Sequence, residues 1–476
     1  MDGQILLLII VFVPIVGAFI LPLAGKISIR FRNLLALSFV AVSFIGSALV
    51  LPSALSSQPI KVEILLPLNF TFGFLGDGLA VFMAMISSFV GGIIVFYSFG
   101  YISHYKNQNE YYFMVVLFIG AMMGIVFSTN LIFLYLFWEI SAICCWRLIG
   151  FFREREIVRR ADKAFLVTVF GALVMLLGFV MVYQQTGTFD LTQMKGTLIP
   201  DIAVLLILFG VFSKSATLPL HTWLPDAGVA PSPVTSLLHA AVLVKIGVYV
   251  FARLFLVNFE VSELWHTVVP VIAGVSALVS AGAAIVDTDM KRIIAYSTVS
   301  QIGFIFLGLS VGSEMAVAGG LLYILMHSLA KGGLFLCAGV VEQNTKVKDI
   351  TKLGGLITTM PITAVTFLVC AFSVMGVPPF GGFFSKYMVI GGAVNAGQPW
   401  IAFTFILGAI LTIIYLFRLF TNVFLGQVKV AAKEGSTVML VSVVILAVLS
   451  LVGGIFINYP SSFVQTIIQQ MVVMVK

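Results

Sequence analysis

The feature that most constrains this chain is the recurrence of apolar runs, each about 20 residues long, from one end to the other. A helix of that length crosses the hydrocarbon core of a bilayer. It also satisfies its own backbone amides there, which an irregular segment in lipid does not. Only 9% of the residues are charged and 61% are hydrophobic, whereas a soluble domain carries about 25% charged residues. The sequence therefore predicts an all-α polytopic membrane protein.

The apolar runs predict fourteen transmembrane helices, and Pro and Gly residues break the seventh and the twelfth. We treat residues 1–476 as a single transmembrane domain, because no polar stretch approaches the size of a soluble domain. We expect residues 459–476 to form an amphipathic tail at the membrane interface. The predicted spans lie near residues 3–24, 31–53, 78–100, 112–129, 131–150, 163–184, 201–218, 234–256, 265–286, 293–311, 315–341, 361–391, 398–424 and 437–457.

Basic residues are distributed unevenly between the two sets of loops that these spans create. One set carries sixteen lysines and arginines, and the other carries four, which are Lys61, Lys195, Arg253 and Lys476. The positive-inside rule places the richer set in the cytoplasm. Both termini are then expected on the outer side. The net charge of +7 reflects this topology, and we expect no nucleic acid as a partner.

The order of the spans repeats halfway along the chain. Spans 4–8 (about 112–256) and spans 9–13 (about 265–424) each form a group of five whose fourth member is broken. Pro219 marks the first break, and Pro378 and Pro379 mark the second. Because five is odd, the two groups are expected to cross the membrane in opposite senses. Paired broken helices in two inverted halves indicate a transport path near the interface between the halves.

Glu139 and Lys214 are the first candidates for such a path. Glu139 lies near the middle of span 5, and Lys214 lies five residues before Pro219 on the broken span 7. A charge inside the membrane is expensive to keep unpaired, so Lys214 is the expected partner of Glu139. A proton-transferring pair is the functional interpretation. A static ion pair, or a Lys214 side chain that extends to the surface, is the structural alternative.

Span 8 carries Lys245 and His239. Lys245 is eleven residues into the span, or ~16 Å deep at 1.5 Å per residue, which is too deep for the side chain to reach the surface. We therefore predict that Lys245 is a central relay. His239 is a candidate for joining Lys214 to Lys245 through water, although a buried histidine is as often only a core residue.

The second half of the chain carries His327, Lys331 and Lys386. His327 and Lys331 are four residues apart on span 11, so they lie on one helix face. Histidine titrates nearest to neutral pH and is a natural proton carrier. Lys386 follows the second break and is the candidate group for exchange with one side of the membrane. These residues complete a predicted proton path of Glu139, Lys214, Lys245, Lys331 and Lys386 with His327 and His239.

The turn into span 10 and its first half are also polar. We expect Asp289, Lys291 and Arg292 to pair locally in this turn. Span 10 has a polar face that suits a hydrated path or interhelical hydrogen bonds equally well, formed by Tyr296, Ser297, Ser300 and Gln301.

The sequence predicts neither a metal site nor a bound cofactor in this chain. The four cysteines, Cys144, Cys145, Cys337 and Cys370, lie in apolar segments without the spacing of a zinc or iron–sulfur site. No glycine-rich nucleotide motif follows a predicted strand. Any redox catalysis is therefore expected in a partner subunit and not in this chain.

Six motifs in their order along the chain resemble one known family. They are FWEIS at Glu139, SKSATLPLHTWLPDA at Lys214, PSPVTSLLHAA before Lys245, DMKRIIAYSTVSQIG, HSLAKGGLFL at Lys331 and PPFGGFFSK at Lys386. The family is that of the antiporter-like proton-translocating subunits of respiratory complex I, energy-converting membrane-bound hydrogenases and Mrp-type cation/proton antiporters.

This resemblance implies fourteen helices with two inverted five-helix repeats and a central axis of charged residues. It assigns Glu139 and Lys214 to a pair whose separation drives proton transfer, Lys245 to the central relay, and Lys386 to the outer half-channel. Arg147, eight residues after Glu139, departs from the family pattern. It is a possible modulator that pairs with Glu139 or with an acid of another subunit.

The sequence leaves three functions open. The first is a proton-translocating subunit of a redox-driven complex in an energy-conserving cell membrane, with other membrane subunits and a peripheral redox arm whose subunits carry iron–sulfur clusters. The second is a subunit of an Mrp-type Na⁺/H⁺ antiporter without a redox arm. The third is a membrane scaffold that has lost transport.

Overall fold

The fold is a bundle of helices, seen in a computed structural model that describes residues 3–56, 58–67 and 71–471. Most helices are apolar and long, as the spacing of polar residues along the chain predicts. The α-helices are α1 (Gly3–Ile27), α2 (Ile29–Leu55), α3 (Gly78–Tyr101), α4 (Gln108–Phe127), α5 (Leu131–Ile149), α6 (Arg155–Thr186), α7 (Asp201–Ser215), α8 (Trp223–Asp226), α9 (Ser232–Ser236), α10 (Leu243–Phe251), α11 (Trp265–Val286), α12 (Met290–Ser310), α13 (Glu314–Thr345), α14 (Pro361–Met375), α15 (Gly381–Asn395), α16 (Pro399–Phe424), α17 (Thr437–Ile455) and α18 (Asn458–Met471).

Two small sheets lie in the connections between helices. Strands β1 (Ile60–Leu65) and β2 (Thr71–Gly76) form an antiparallel hairpin between α2 and α3. Strands β3 (Thr197–Leu198) and β4 (Phe259–Glu260) pair in parallel. The sequence analysis did not predict these strands.

The described residues contain twelve helical segments that are long and apolar enough to span a membrane. They coincide with twelve of the fourteen predicted spans. The other two predictions are the seventh and the twelfth, where the structure has the shorter helices α7, α14 and α15 of 15 residues each. The polytopic helical class is thus confirmed. The count of fourteen and the inverted repeats stay predictions.

Both predicted breaks lie between helices. Helix α7 is followed by Ala216, whose φ of 53° is left-handed, and then by Pro219. Helix α14 is followed by Gly376, whose φ is 83°, and then by Pro378 and Pro379. Proline has no N–H group and cannot continue a helix. Each break therefore leaves the last carbonyl groups of a helix without intrahelical partners.

A third interruption lies in the segment Ser232–Asn258, which the sequence analysis treated as one helix. A π-helical turn at Leu237–Ala241 separates α9 from α10, and a second π-helical segment follows at Ala252–Asn258. No Pro or Gly marks the first of these turns, so the local sequence did not predict it. Such wide turns often occur at functional sites.

The centre of the bundle is formed by α12, α13 and the segment Ser232–Asn258. In the most apolar 18-residue stretch of each helix, 94% of the residues are buried in α12 and in α13, but only 33% are buried in α2. Peripheral helices can expose leucine and isoleucine because lipid is as apolar as those side chains. The central helices have no lipid contact to use, so their polar residues must find partners inside the protein.

Helix α18 lies where the interfacial tail, residues 459–476, was predicted. Its Gln470 accepts a hydrogen bond from the backbone N–H of Gly78 at 3.2 Å and donates one to Ala54 O at 2.5 Å. These bonds attach α18 to the ends of α2 and α3. Residues 472–476 lie outside the described residues.

Candidate functional site

Lys245 and His327 meet at the centre of the bundle. Both side chains are completely buried, and Lys245 Nζ lies 3.2 Å from His327 Nδ1. Lys245 also donates to the carbonyl oxygen of Ala240, which belongs to the π-helical turn. The interrupted helix thus presents a backbone oxygen to the ammonium group. A lysine and a histidine in hydrogen-bond contact can exchange a proton directly.

His239 lies in the same π-helical turn and is also fully buried. Its ring packs on Phe335 with a centroid distance of 4.4 Å. Among the described residues, neither ring nitrogen has a hydrogen-bond partner. The charges that act on it most are those of Lys331, Lys245 and Lys291. The predicted link from Lys214 to Lys245 through His239 and water stays a prediction.

Lys331 lies one turn after His327 on α13 and is fully buried. Its Nζ donates to Ser297 Oγ at 2.5 Å and to the carbonyl oxygen of Ile294 at 3.2 Å. Both acceptors belong to α12, so the predicted polar face of span 10 points at this lysine.

A hydrogen-bonded network continues from Ser297. The Ser297 hydroxyl lies 2.7 Å from the Tyr415 hydroxyl of α16. Gln301 donates to Tyr415 at 3.2 Å and to Thr412 at 3.1 Å, and it accepts a hydrogen bond from Tyr323. The ring of Tyr323 lies 6.0 Å from that of His327. The network thus joins the surroundings of Lys331 to those of the Lys245–His327 pair.

Lys386 lies on α15 and is 4% exposed. Its Nζ donates to the carbonyl oxygen of Val374 at 2.6 Å, in the last turn of α14. That carbonyl is free because the helix stops there, and the C-terminal end of a helix favours a cation. The ammonium also lies 5.5 Å from the ring of Tyr323 and 5.8 Å from that of Phe304. The second break therefore supplies the carbonyl group that accepts the hydrogen bond of Lys386.

Lys214 lies in the last turn of α7, before the first break, and is fully buried. Its Nζ donates to the carbonyl oxygen of Trp138 at 3.1 Å and lies 5.1 Å from the Trp138 ring. Such a cation–π contact stabilises a desolvated ammonium. The aromatic ring and carbonyl thus take the place in which a carboxylate was expected.

Glu139, the neighbour of Trp138, is near Lys214 but does not form an ion pair with it within the described residues. The two groups interact electrostatically at longer range. Glu139 Oε1 is buried and has no hydrogen-bond partner there. The expected ion pair is therefore not formed in direct contact: Lys214 donates to Trp138 O, and the Glu139 carboxylate acts on it at longer range.

Arg147 forms an ion pair with Glu110, and not with Glu139, one of the two partners proposed from the sequence. It donates to Glu110 at the start of α4, and Arg153 donates to the other oxygen of the same carboxylate at 2.7 Å. The sequence analysis missed Glu110, which is 37 residues from Arg147. Arg147 thus serves an ion-pair cluster that does not include Glu139.

Three further ionic clusters were not predicted. Lys291 pairs with Glu342 at 2.8 Å, and Lys348 pairs with the same carboxylate at 3.2 Å. The expected local pairing of Lys291 was therefore wrong, although Asp289 does cap α12 through the N–H groups of residues 291 and 292. Arg292 binds Asp287 and Asp226, and Asp226 also binds Lys163.

The last cluster lies at the end of the segment Ser232–Asn258. Arg253 binds Asp77 through two hydrogen bonds of 2.5 and 2.7 Å and also donates to Tyr249. A cleft of about 480 Å³ opens beside it. The carboxylate of Asp77 precedes α3 and caps it by accepting the N–H of Ala80 at 3.0 Å. This pair therefore ties the start of α3 to the end of span 8.

The described residues contain no group of three or more His, Cys, Asp or Glu side chains that could hold a metal ion. The four cysteines are buried and are not joined in disulfides.

Both the sequence and the fold of this chain are similar to those of known proteins. Residues 128–412 match the family described as NADH:quinone oxidoreductase/Mrp antiporter, TM, and residues 65–112 match NADH-Ubiquinone oxidoreductase (complex I), chain 5 N-terminus. The Na(+)/H(+) antiporter subunit A1 of Staphylococcus aureus is 33% identical over 490 residues, covering 95% of this chain. The chain spans 61% of the length of that relative.

Two solved structures share the fold. One is the Mrp complex from Dietzia sp. DQ12-45-1b, with a TM-score of 0.91 and 22% identity over 98% of this chain and 97% of the matched chain. The other is the membrane-bound sulfane sulfur reductase, an archaeal respiratory membrane complex, with a TM-score of 0.89 at the same identity and coverage. At 22% identity these structures speak for the fold alone.

Proposed function

We propose that this chain, which belongs to the NADH:quinone oxidoreductase/Mrp antiporter family of transmembrane proteins, moves protons across the membrane as one subunit of a multisubunit complex. The observation that carries the proposal is the set of buried lysines Lys245, Lys331 and Lys386. Among the described residues none of the three forms an ion pair; their partners are carbonyl groups, a histidine and a hydroxyl. Ionisable groups kept at such expense inside a membrane are typical of proton relays.

The proton path runs along the centre of the bundle. We assign it to Glu139, Lys214, Lys245, Lys331 and Lys386. Within the path, Lys245 and His327 exchange a proton in direct contact, and His239 joins Lys214 to Lys245 through water. Water bridges the steps that lack a direct contact. Lys386 at the second break exchanges protons with the outer side.

The energy source of the proposed complex is a redox partner, whose subunits carry the iron–sulfur clusters that this chain does not provide. A second candidate is a Na⁺/H⁺ antiporter without a redox arm. It is favoured by the 33% identical relative named as subunit A1 of such an antiporter. Both candidates use the same buried residues, so they differ only in what drives the proton.

The test is proton transport by the intact complex in proteoliposomes, measured with an internal pH-sensitive dye. Lys245→Ala is expected to abolish transport, because the central relay is lost. Lys352→Ala is the matched control, since this lysine side chain is 73% exposed. Unchanged transport in the Lys245 variant would favour the scaffold function instead.

The same vesicles distinguish the two energy sources. A redox-driven pump acidifies one side of the membrane as long as its electron donor and acceptor are supplied, and it does so with or without Na⁺. An antiporter exchanges protons when a Na⁺ gradient is imposed and no electron donor is present. Transport that follows the Na⁺ gradient alone would reject the redox-driven proposal and keep the proton path.

We place both termini on the outer side, because the loops on the other side carry most of the basic residues. A cysteine substituted for Lys433, in the loop between α16 and α17, is expected to react with a membrane-impermeant maleimide only from the cytoplasmic side. Labelling from the outer side would reverse the topology.

A further inference from the structure

We propose that Ser297 and Tyr415 form a two-position hydroxyl switch that senses whether Lys331 carries its proton. This inference rests on the proposed function and adds two positioning residues to it. The sequence placed Ser297 on the polar face of span 10 without a specific role, and Tyr415 comes from α16, which contributes none of the predicted path residues.

The hydrogen-bond partners of the Lys331 ammonium are uncharged. Within the described part of the chain, its ammonium has no carboxylate partner, and its hydrogen-bond partners are Ser297 Oγ and Ile294 O. The other ionisable groups that face it are Lys245 and Lys386, together with the neighbouring His327 and His239. Neutral dipoles alone must therefore stabilise the charged state.

The charge on Lys331 fixes the direction of the hydrogen bonds around Ser297. When Lys331 is charged, its N–H donates to Ser297, so the Ser297 hydroxyl is free to donate to Tyr415 at 2.7 Å. Tyr415 then donates to Thr412 Oγ1 at 3.3 Å, and the Thr412 hydroxyl donates to Gly408 O at 2.7 Å. Every hydroxyl proton has an acceptor in this arrangement, and all of them point away from the ammonium.

When Lys331 is neutral, the hydrogen bonds around Ser297 take the opposite direction. A neutral amine accepts a hydrogen bond, so Ser297 turns its proton towards Lys331 and Tyr415 turns its proton towards Ser297. Both turns are rotations about single C–O bonds and need no backbone movement. Chains of hydrogen bonds reinforce one another when they share one direction. The two arrangements are therefore distinct states, selected by the charge on Lys331.

Beyond Tyr415, the hydrogen bonds that Gln301 and Thr412 donate stay the same in both states. The amide of Gln301 donates to both Tyr415 and Thr412 in either state, and an amide N–H does not release its proton near neutral pH. The proton of Thr412 is held by Gly408 O. The chain therefore reorients without carrying a proton away from Lys331, and all its members are completely buried.

Tyr415→Phe tests the switch by the pH profile of transport in the intact complex. Without the Tyr415 hydroxyl, the Ser297 proton loses the acceptor that it has in the parent when Lys331 is charged, but it keeps the Lys331 amine as acceptor when Lys331 is neutral. The variant is thus expected to assemble and to transport protons at least tenfold more slowly at the pH optimum of the parent. The pH at which its transport rate is half-maximal is expected to be lower than in the parent. Tyr97→Phe is the control, because Tyr97 is equally buried and donates to Leu336 O outside the network.

An unchanged pH profile in Tyr415→Phe, or the same shift in Tyr97→Phe, would overturn the inference. If Tyr415→Phe does not assemble, Ser297→Ala decides, since it removes the acceptor of the ammonium; a profile like the parent's would reject the switch. Lys331→Ala separates the two proposals. Transport that survives this substitution removes Lys331 from the proton path, whereas lost transport with an unchanged Tyr415→Phe profile rejects only the switch.

Discussion

Arg253→Met probes the ion pair that joins the start of α3 to the end of span 8. The variant keeps an unbranched apolar stem, removes the guanidinium group and leaves the Asp77 carboxylate largely buried without its partner. Breaking a buried ion pair in this way costs about 3–5 kcal/mol. The side chain of Asp77 keeps 19% of its exposure, so we take the lower end, about 3 kcal/mol.

The pair also has a defined pH dependence. Burial acts to raise the pKa of Asp77, but the charge and the hydrogen bonds of Arg253 outweigh it and hold that pKa below its usual value. A depressed carboxylate pKa contributes stability above the unfolded value of about 3.9 and loses it as the pH falls through the folded value. The difference between parent and variant is expected to be constant from roughly pH 5 to 8 and to narrow below about pH 4.

The assay is the free energy of unfolding from SDS titration in mixed micelles, followed by tryptophan fluorescence. The double variant Arg253→Met/Asp77→Asn is the control, because asparagine still caps α3 and no unpaired charge is left. We expect it to recover most of the loss. A single-variant loss below about 1 kcal/mol, as in exposed ion pairs, or a double variant no better than the single one, would refute this reasoning.

Three other predictions follow from the same contacts. Gly376→Ala is expected to cost about 1–3 kcal/mol in unfolding free energy, because its φ is 83° and a Cβ would lie 3.0 Å from Lys386 Cδ; a loss no larger than that of an exposed helix substitution speaks against it. Burial acts to raise the pKa of Asp226, but Lys163 and Arg292 outweigh it and lower that pKa, so the stability difference between parent and Asp226→Asn should vanish as the pH falls below about 4, which a pH series of the same titration measures. Lys386→Met is expected to stop proton transport in proteoliposomes while assembly on native gels is unchanged; normal transport would remove Lys386 from the path.

The sequence determined where the helices lie and where two of them break. Long apolar runs have few alternatives in a membrane, so the long helical segments of the structure coincide with predicted spans. Proline cannot donate a backbone hydrogen bond, so Pro219, Pro378 and Pro379 marked the ends of α7 and α14. The buried lysines were also found from sequence, because a charge in an apolar run is conspicuous.

Only the tertiary structure decided which groups meet. Arg147 pairs with Glu110, and Lys291 pairs with Glu342, because the packing of α4 on α5 and of α12 on α13 brings together side chains that are many residues apart. Lys214 takes the carbonyl and ring of Trp138 instead of the Glu139 carboxylate. Hydrogen bonds and ion pairs act over a few ångströms, and a sequence specifies no distances between distant helices. For this reason only the packing of α12, α13 and α16 showed that Tyr415 is linked to Lys331 through Ser297.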